Sequence, residues 1–190
     1  MKKTLTVILA LVLVVVMSVA GTVAYLTSTK TVTNTFTVGK VEITLDETKV
    51  DEYGAAITGE QAGRVTANTY KLIPGHSYTK DPVVHVAADS ENCWLFVKVE
   101  NGLSDIEDST ATIADQLSTN GWTLVDGTTN IYAYRTTVSA NTNVPVFDSF
   151  KLAGTADVAG YANAKIVVTA YAIQADGFAN AEAAWAAYSA

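Results

Sequence analysis

Two histidines, one cysteine and two groups of acids are the residues of this chain whose types could do chemistry. His76 and His85 stand nine positions apart, and with Asp81 or Asp89 they could hold a metal ion. A catalytic zinc takes three protein ligands and an outer shell that orients them, and His-Glu-x-x-His does not occur. Both histidines are therefore expected to be structural or surface residues. Cys93 could act as a nucleophile with His85 as its base, since such pairs need no fixed spacing. Its alternation with Leu95, Val97 and Val99 instead predicts a packed face, where a thiol behaves as a small apolar group. No serine sits in a Gly-x-Ser-x-Gly elbow. The acids gather at Asp46-Glu47 with Asp51-Glu52 and at Asp105-Glu107-Asp108. They lack the spacing of an EF-hand calcium loop and are expected as solvated loops. Trp122, Tyr132, Tyr134 and Tyr161 could form a platform for carbohydrate, but in a β-rich chain they are expected as core and cross-strand pairs. No catalytic, cofactor or metal residue is assigned from these patterns, and an enzyme is not expected.

The elements that carry these side chains read as strands. Threonine, valine and tyrosine are plentiful and proline is scarce, which suits pleated, half-buried surfaces. Residues 31–38 alternate strictly, with threonines on one side and Val32, Asn34, Phe36 and Val38 on the other. Residues 40–45 continue with Val41, Ile43 and Leu45 on one face, and residues 46–69 read as a polar excursion. Strands are expected at 70–73, 83–87, 93–100, 144–152 and 165–174. Pro74-Gly75 marks a turn, and in 93–100 Trp94 and Phe96 should partly cover the face opposite Cys93. Residues 122–125 and 131–134 should form a hairpin about Asp126-Gly127. A short helix is possible within 105–118. Asn180 is placed to cap a second helix, 181–188, that closes one end of the domain. About nine short strands separated by turns predict an all-β antiparallel sandwich or jelly roll with one or two short helices.

The amino-terminal residues have a different character. Lys2 and Lys3 precede an apolar run from 5 to 16, and small residues follow to Ala24, the pattern of a secretory signal peptide. Cleavage fits after Ala20 or after Ala24, and a retained anchor is the competing reading because residues 5–24 number about 20, enough to reach across a bilayer. Loss of 1–24 removes two of 12 basic residues and none of 19 acids, moving the net charge from −7 to −9. That charge favours solubility and argues against nucleic acid or anionic lipid as a partner. One cysteine excludes an internal disulfide. The layout is thus a signal peptide at 1–24, a strand segment at 25–39 and a sandwich domain at 40–190.

Several stretches together resemble the TasA/camelysin family of bacterial matrix and surface proteins. They are Gly21-Thr22-Val23-Ala24-Tyr25-Leu26, Asn34-Thr35-Phe36-Thr37-Val38-Gly39, Leu72-Ile73-Pro74-Gly75 with Lys80-Asp81-Pro82, the strand at 92–101, and the closing 170–178. The resemblance implies cleavage by a dedicated signal peptidase between Ala24 and Tyr25, with the membrane met only before cleavage. It also implies jelly-roll subunits that polymerise by donating an amino-terminal strand to the next copy, with a minor accessory matrix protein as a further partner. The expected function is a secreted subunit of extracellular matrix or cell-surface fibres. A camelysin-like surface metalloendopeptidase and a monomeric adhesion or glycan-binding module are the alternatives.

Strand donation has its own energetics. Burying Val32, Phe36 and Val38 contributes about 5–8 kcal/mol, while ordering eight residues costs on the order of 8–16 kcal/mol. Ladder hydrogen bonds at roughly 1 kcal/mol each must close the gap. The segment therefore adheres only where a groove offers both apolar pockets and an open strand edge. That edge belongs either to another copy or to the segment's own domain.

Overall fold

The structure is a computed structural model that describes residues 39–190. The signal segment, the Ala24–Tyr25 junction and the row Val32, Asn34, Phe36 and Val38 lie outside the described residues. Within them are ten strands: β1 Ile43–Thr48, β2 Arg64–Val65, β3 Ser77–Thr79, β4 Val83–Val86, β5 Cys93–Asn101, β6 Trp122–Leu124, β7 Ile131–Tyr134, β8 Asn143–Pro145, β9 Ser149–Lys151 and β10 Ile166–Gln174. Two α-helices, α1 Ile113–Thr119 and α2 Ala181–Tyr188, complete the unit.

The strands form an all-β antiparallel sandwich. One sheet has the order β2-β1-β4-β8 and the other β10-β5-β7-β6, with β3 and β9 paired separately. Alternation decides which side chains meet between the sheets. Ile43 and Leu45 of β1 and Val84 and Val86 of β4 point inward from the first sheet, and Cys93, Leu95, Val97 and Val99 of β5 from the second. The register sets Val97 opposite Ala170 on one side and Tyr132 on the other. Tyr78 and Phe150, directly paired between β3 and β9, stack with centroids 4.6 Å apart.

β5 is buried on both faces. Phe96, expected to be only part of a cover, is fully buried, and α2 lies across it through Ala181, Ala184 and Trp185. The helix therefore covers the outer face of the second sheet and does not close an end, because Phe96, Ala133 and Tyr171 leave an apolar patch there. Its start follows the sequence reading: Asn180 Oδ1 accepts from the Ala183 N–H at 2.8 Å.

Three other expectations are corrected, and a fourth, the short helix, is met with its bounds narrowed. Residues 144–152 form two strands in different sheets; Val146 and Phe147, both fully buried, make the corner between them. Residues 70–73 join no ladder. The Tyr78 hydroxyl accepts from the Ile73 N–H and donates to the Lys71 carbonyl, each at 2.7 Å, and the Lys71 N–H donates to the Glu52 carbonyl at 2.8 Å. The helix sought in 105–118 is a 3-10 turn at Ser104–Ile106 followed by α1, which Thr112 begins by accepting from the Asp115 N–H. Asp46 and Glu47 belong to β1 and not to a polar loop.

The open edge of the sandwich as candidate functional site

β10 runs for nine residues and, among the described residues, is paired on one side only, with β5. Its inward row of Ile166, Val168, Ala170 and Ala172 packs on the core, while Val167 on the other face is 41% exposed. Across the gap between the sheets stands β1, to which the two-residue β2 adds only at Glu47 and Thr48. Between β10 and β1 the sandwich keeps a cavity of about 860 Å³. Its apolar lining includes Leu45, Leu72, Phe150, Ile166 and Val168.

One part of this lining is charged. Glu47 shares the inward parity of Ile43 and Leu45, so its carboxylate enters the sandwich and is only 5% exposed. Lys80 Nζ donates to Glu47 Oε2 at 2.6 Å, and Asn68 Nδ2 donates to Oε1 at 2.9 Å. Asn68 is held in turn by the Thr48 carbonyl and the Val50 N–H. Tyr70 donates to the Thr79 carbonyl at 3.0 Å. Burial, with Glu47 nearby, pushes the Tyr70 phenol well above its ordinary value.

The residues singled out by type are placed elsewhere. His85 faces outward on β4, its ring nitrogens 2.8 Å from Asp46 Oδ1 and 2.8 Å from Asn143 Oδ1. His76 meets the Tyr53 carbonyl at 2.8 Å and lies edge-on to Tyr78. Asp81 accepts from the Thr48 N–H and hydroxyl and from Arg64, while Asp89 pairs with Lys40. The four are thus not gathered about one point. Among the described residues no three of His, Cys, Asp and Glu stand together as a metal ion would need. Cys93 is fully buried, and burial pushes its thiol up to about 11.

The acidic groups are more engaged than solvated loops would be. Burial works against the ionised Asp46, yet hydrogen bonds from Arg64 and His85 hold its carboxyl below the usual range. Burial raises the Glu107 carboxyl, which accepts from the Ile113 N–H and from Asn101. The Lys151 ammonium, 2.8 Å away, and Thr110 hold Asp108 far below the ordinary value. Asp51 and Glu52 are exposed at a turn, and Asp105 is exposed in a 3-10 turn. The aromatic residues are inward, as expected: Trp122 is 2% exposed and packs on Tyr134 at 5.1 Å, and Tyr132 and Tyr161 join the core.

Sequence reasoning missed Glu47, Asn68 and Lys80 as one group. They lie up to 33 positions apart and fit no local motif. The one available signal was parity, since Glu47 continues the row Ile43 and Leu45 toward the core.

Compared with known proteins, the chain matches no family model, no curated protein and no solved structure. Among the described residues no helix is long and apolar enough to cross a membrane.

Proposed function

We propose that this protein is a secreted structural subunit of extracellular matrix or cell-surface fibres, polymerising when residues 25–38 of one copy enter the open edge of the next. The observation that carries the reading is the β10 edge beside a cavity lined by both apolar and polar side chains. Nine residues of strand extend about 30 Å, and the segment 30–38 has the same length. An edge of this kind invites another strand, because among the described residues its outer side joins no ladder while its inner row already faces a pocket.

Gly39 lies against Glu91, and Glu91 N–H donates to the Lys40 carbonyl. Asn92 next to it accepts from the Ala175 N–H, just beyond the carboxyl end of β10. The cavity is lined by residues 161–168, at the amino end of β10. A strand donated by each copy to the next is a head-to-tail contact, and head-to-tail contacts grow open polymers unless they close into rings.

Electron microscopy of the purified 25–190 protein tests the reading. Filaments are expected, and deletion of 25–34 should abolish them. Phe36→Asp should block assembly while leaving the thermal unfolding of the isolated domain nearly unchanged. A protein that stays dispersed at high concentration overturns the proposal. Equal loss of assembly and stability in Phe36→Asp would place the strand within its own domain.

A further inference from the structure

Resting on that reading, we propose that the Glu47–Lys80 pair receives the carboxamide of Asn34 from the incoming segment, and that this contact sets the segment's register.

The need for a register mark follows from the segment's own regularity. A one-residue slip would turn the threonines inward, so the apolar row resists it. A two-residue slip returns the same face and exchanges one apolar side chain for another. In the row Val32, Asn34, Phe36 and Val38, Asn34 alone is an amide, so it is the residue that distinguishes these in-phase registers. A buried polar side chain in an apolar row is a known device for fixing alignment.

The cavity offers a matching place at its most buried charges. Glu47 and Lys80 both line it, with side chains 6% and 11% exposed. Among the described residues the Lys80 ammonium donates to Glu47 alone, although it carries three N–H donors. A strand that filled the cavity would remove the remaining water from this pair. A buried ion pair is tolerable only when its other donors and acceptors are met. A carboxamide supplies both kinds at once: its oxygen accepts from the ammonium, and its NH2 donates to a carboxylate lone pair. A valine or leucine at position 34 supplies neither and strands a buried charge. Asn68, whose amide hydrogens are already committed to Glu47 and Thr48, keeps the carboxylate turned for this contact.

The test is a cycle of four 25–190 proteins compared by the critical concentration for filament formation: the native chain, Asn34→Leu, the apolar replacement Glu47→Leu/Lys80→Met, and all three changes together. Asn34→Leu should raise the critical concentration at least tenfold in the native background and less than twofold in the apolar one. Equal effects in both backgrounds, or none in either, overturn the inference while leaving the fibre reading intact. Absence of filaments from the native chain overturns the fibre reading itself. If the apolar replacement does not fold, exchanging the mark decides: Val32→Asn with Asn34→Val should lengthen the axial repeat by about 7 Å, two residues of strand. An unchanged repeat, or no filaments from the exchanged chain, overturns the inference.

Discussion

Gly54 lies flat against the backbone of Tyr78. A β-carbon at Gly54 would stand 2.8 Å from Tyr78 Cα and 2.9 Å from its Cβ, and Gly54 itself has a φ of +81°. The same approach lets the Gly54 carbonyl accept from the Thr79 N–H at 3.3 Å, tying the turn after β1 to β3.

Gly54→Ala is therefore expected to destabilise the domain by about 3 kcal/mol or more, from left-handed strain and forced displacement of backbone together. Gly59, with φ +77° and nothing near its missing β-carbon, provides the control, and Gly59→Ala should cost about 1–2 kcal/mol. Urea denaturation midpoints of the two variants test the difference.

Tyr78→Phe keeps the stack on Phe150 and removes only the hydroxyl that serves Ile73 and Lys71. Both backbone groups then lose their partner, at a cost of about 1–3 kcal/mol. Hydrogen exchange at the Ile73 amide should accelerate by more than global destabilisation explains. An unchanged rate would show that residues 70–73 are held by other contacts.

Cys93 should resist thiol reagents in the folded protein and react at the unfolded rate once denatured. Its raised folded value also carries a pH dependence. The unfolded thiol ionises near about 8.5, so this group's contribution is complete below that pH and is lost as pH climbs toward about 11. Melting temperatures of the native chain should fall more steeply across this alkaline window than those of Cys93→Val. Parallel curves would show that the thiol is not held neutral by the core.

Asn180→Ala removes the cap of α2 and should cost about 1 kcal/mol, whereas Asn180→Gly should cost only a few tenths. Because Trp185 of α2 stands 5.0 Å from Phe96, its fluorescence reports whether the helix stays docked. Loss of helix without a fluorescence change would separate the cap from the packing.

How much could be read from the residues depended on where each segment found its hydrogen bonds. β5, β10, the β6–β7 pair and α2 were legible because alternation or a capping residue is written locally. The single strand expected over 144–152 failed for a reason parity hides: Val144, Val146, Phe150 and Leu152 keep the same alternation although the chain changes sheets at Phe147. Residues 70–73 look like a strand in composition, but they join no ladder: Ile73 and Lys71 meet the Tyr78 hydroxyl and the Lys71 N–H meets the Glu52 carbonyl, partners that no neighbour in sequence announces. The edge of β10 was likewise invisible, since being last in a sheet is a property of order among strands. The charge on Glu47 drew it toward solvent in the sequence reading, and only Lys80 and Asn68, distant in the chain, reverse that.

The double burial of β5 has a consequence for how the chain comes to be folded. Its inner face packs on β1 and β4 of the opposite sheet and its outer face on α2, so Phe96 waits for residues beyond 180 before it has its cover. Among the described residues β6 and β7 join as a short-range hairpin, while most of the other ladders bring together segments far apart in sequence, a topology that folds slowly. During synthesis the outer face of β5 stays exposed until residues 181–188 emerge, and a truncation that spares every described strand but removes residues 181–190 should leave a sticky product.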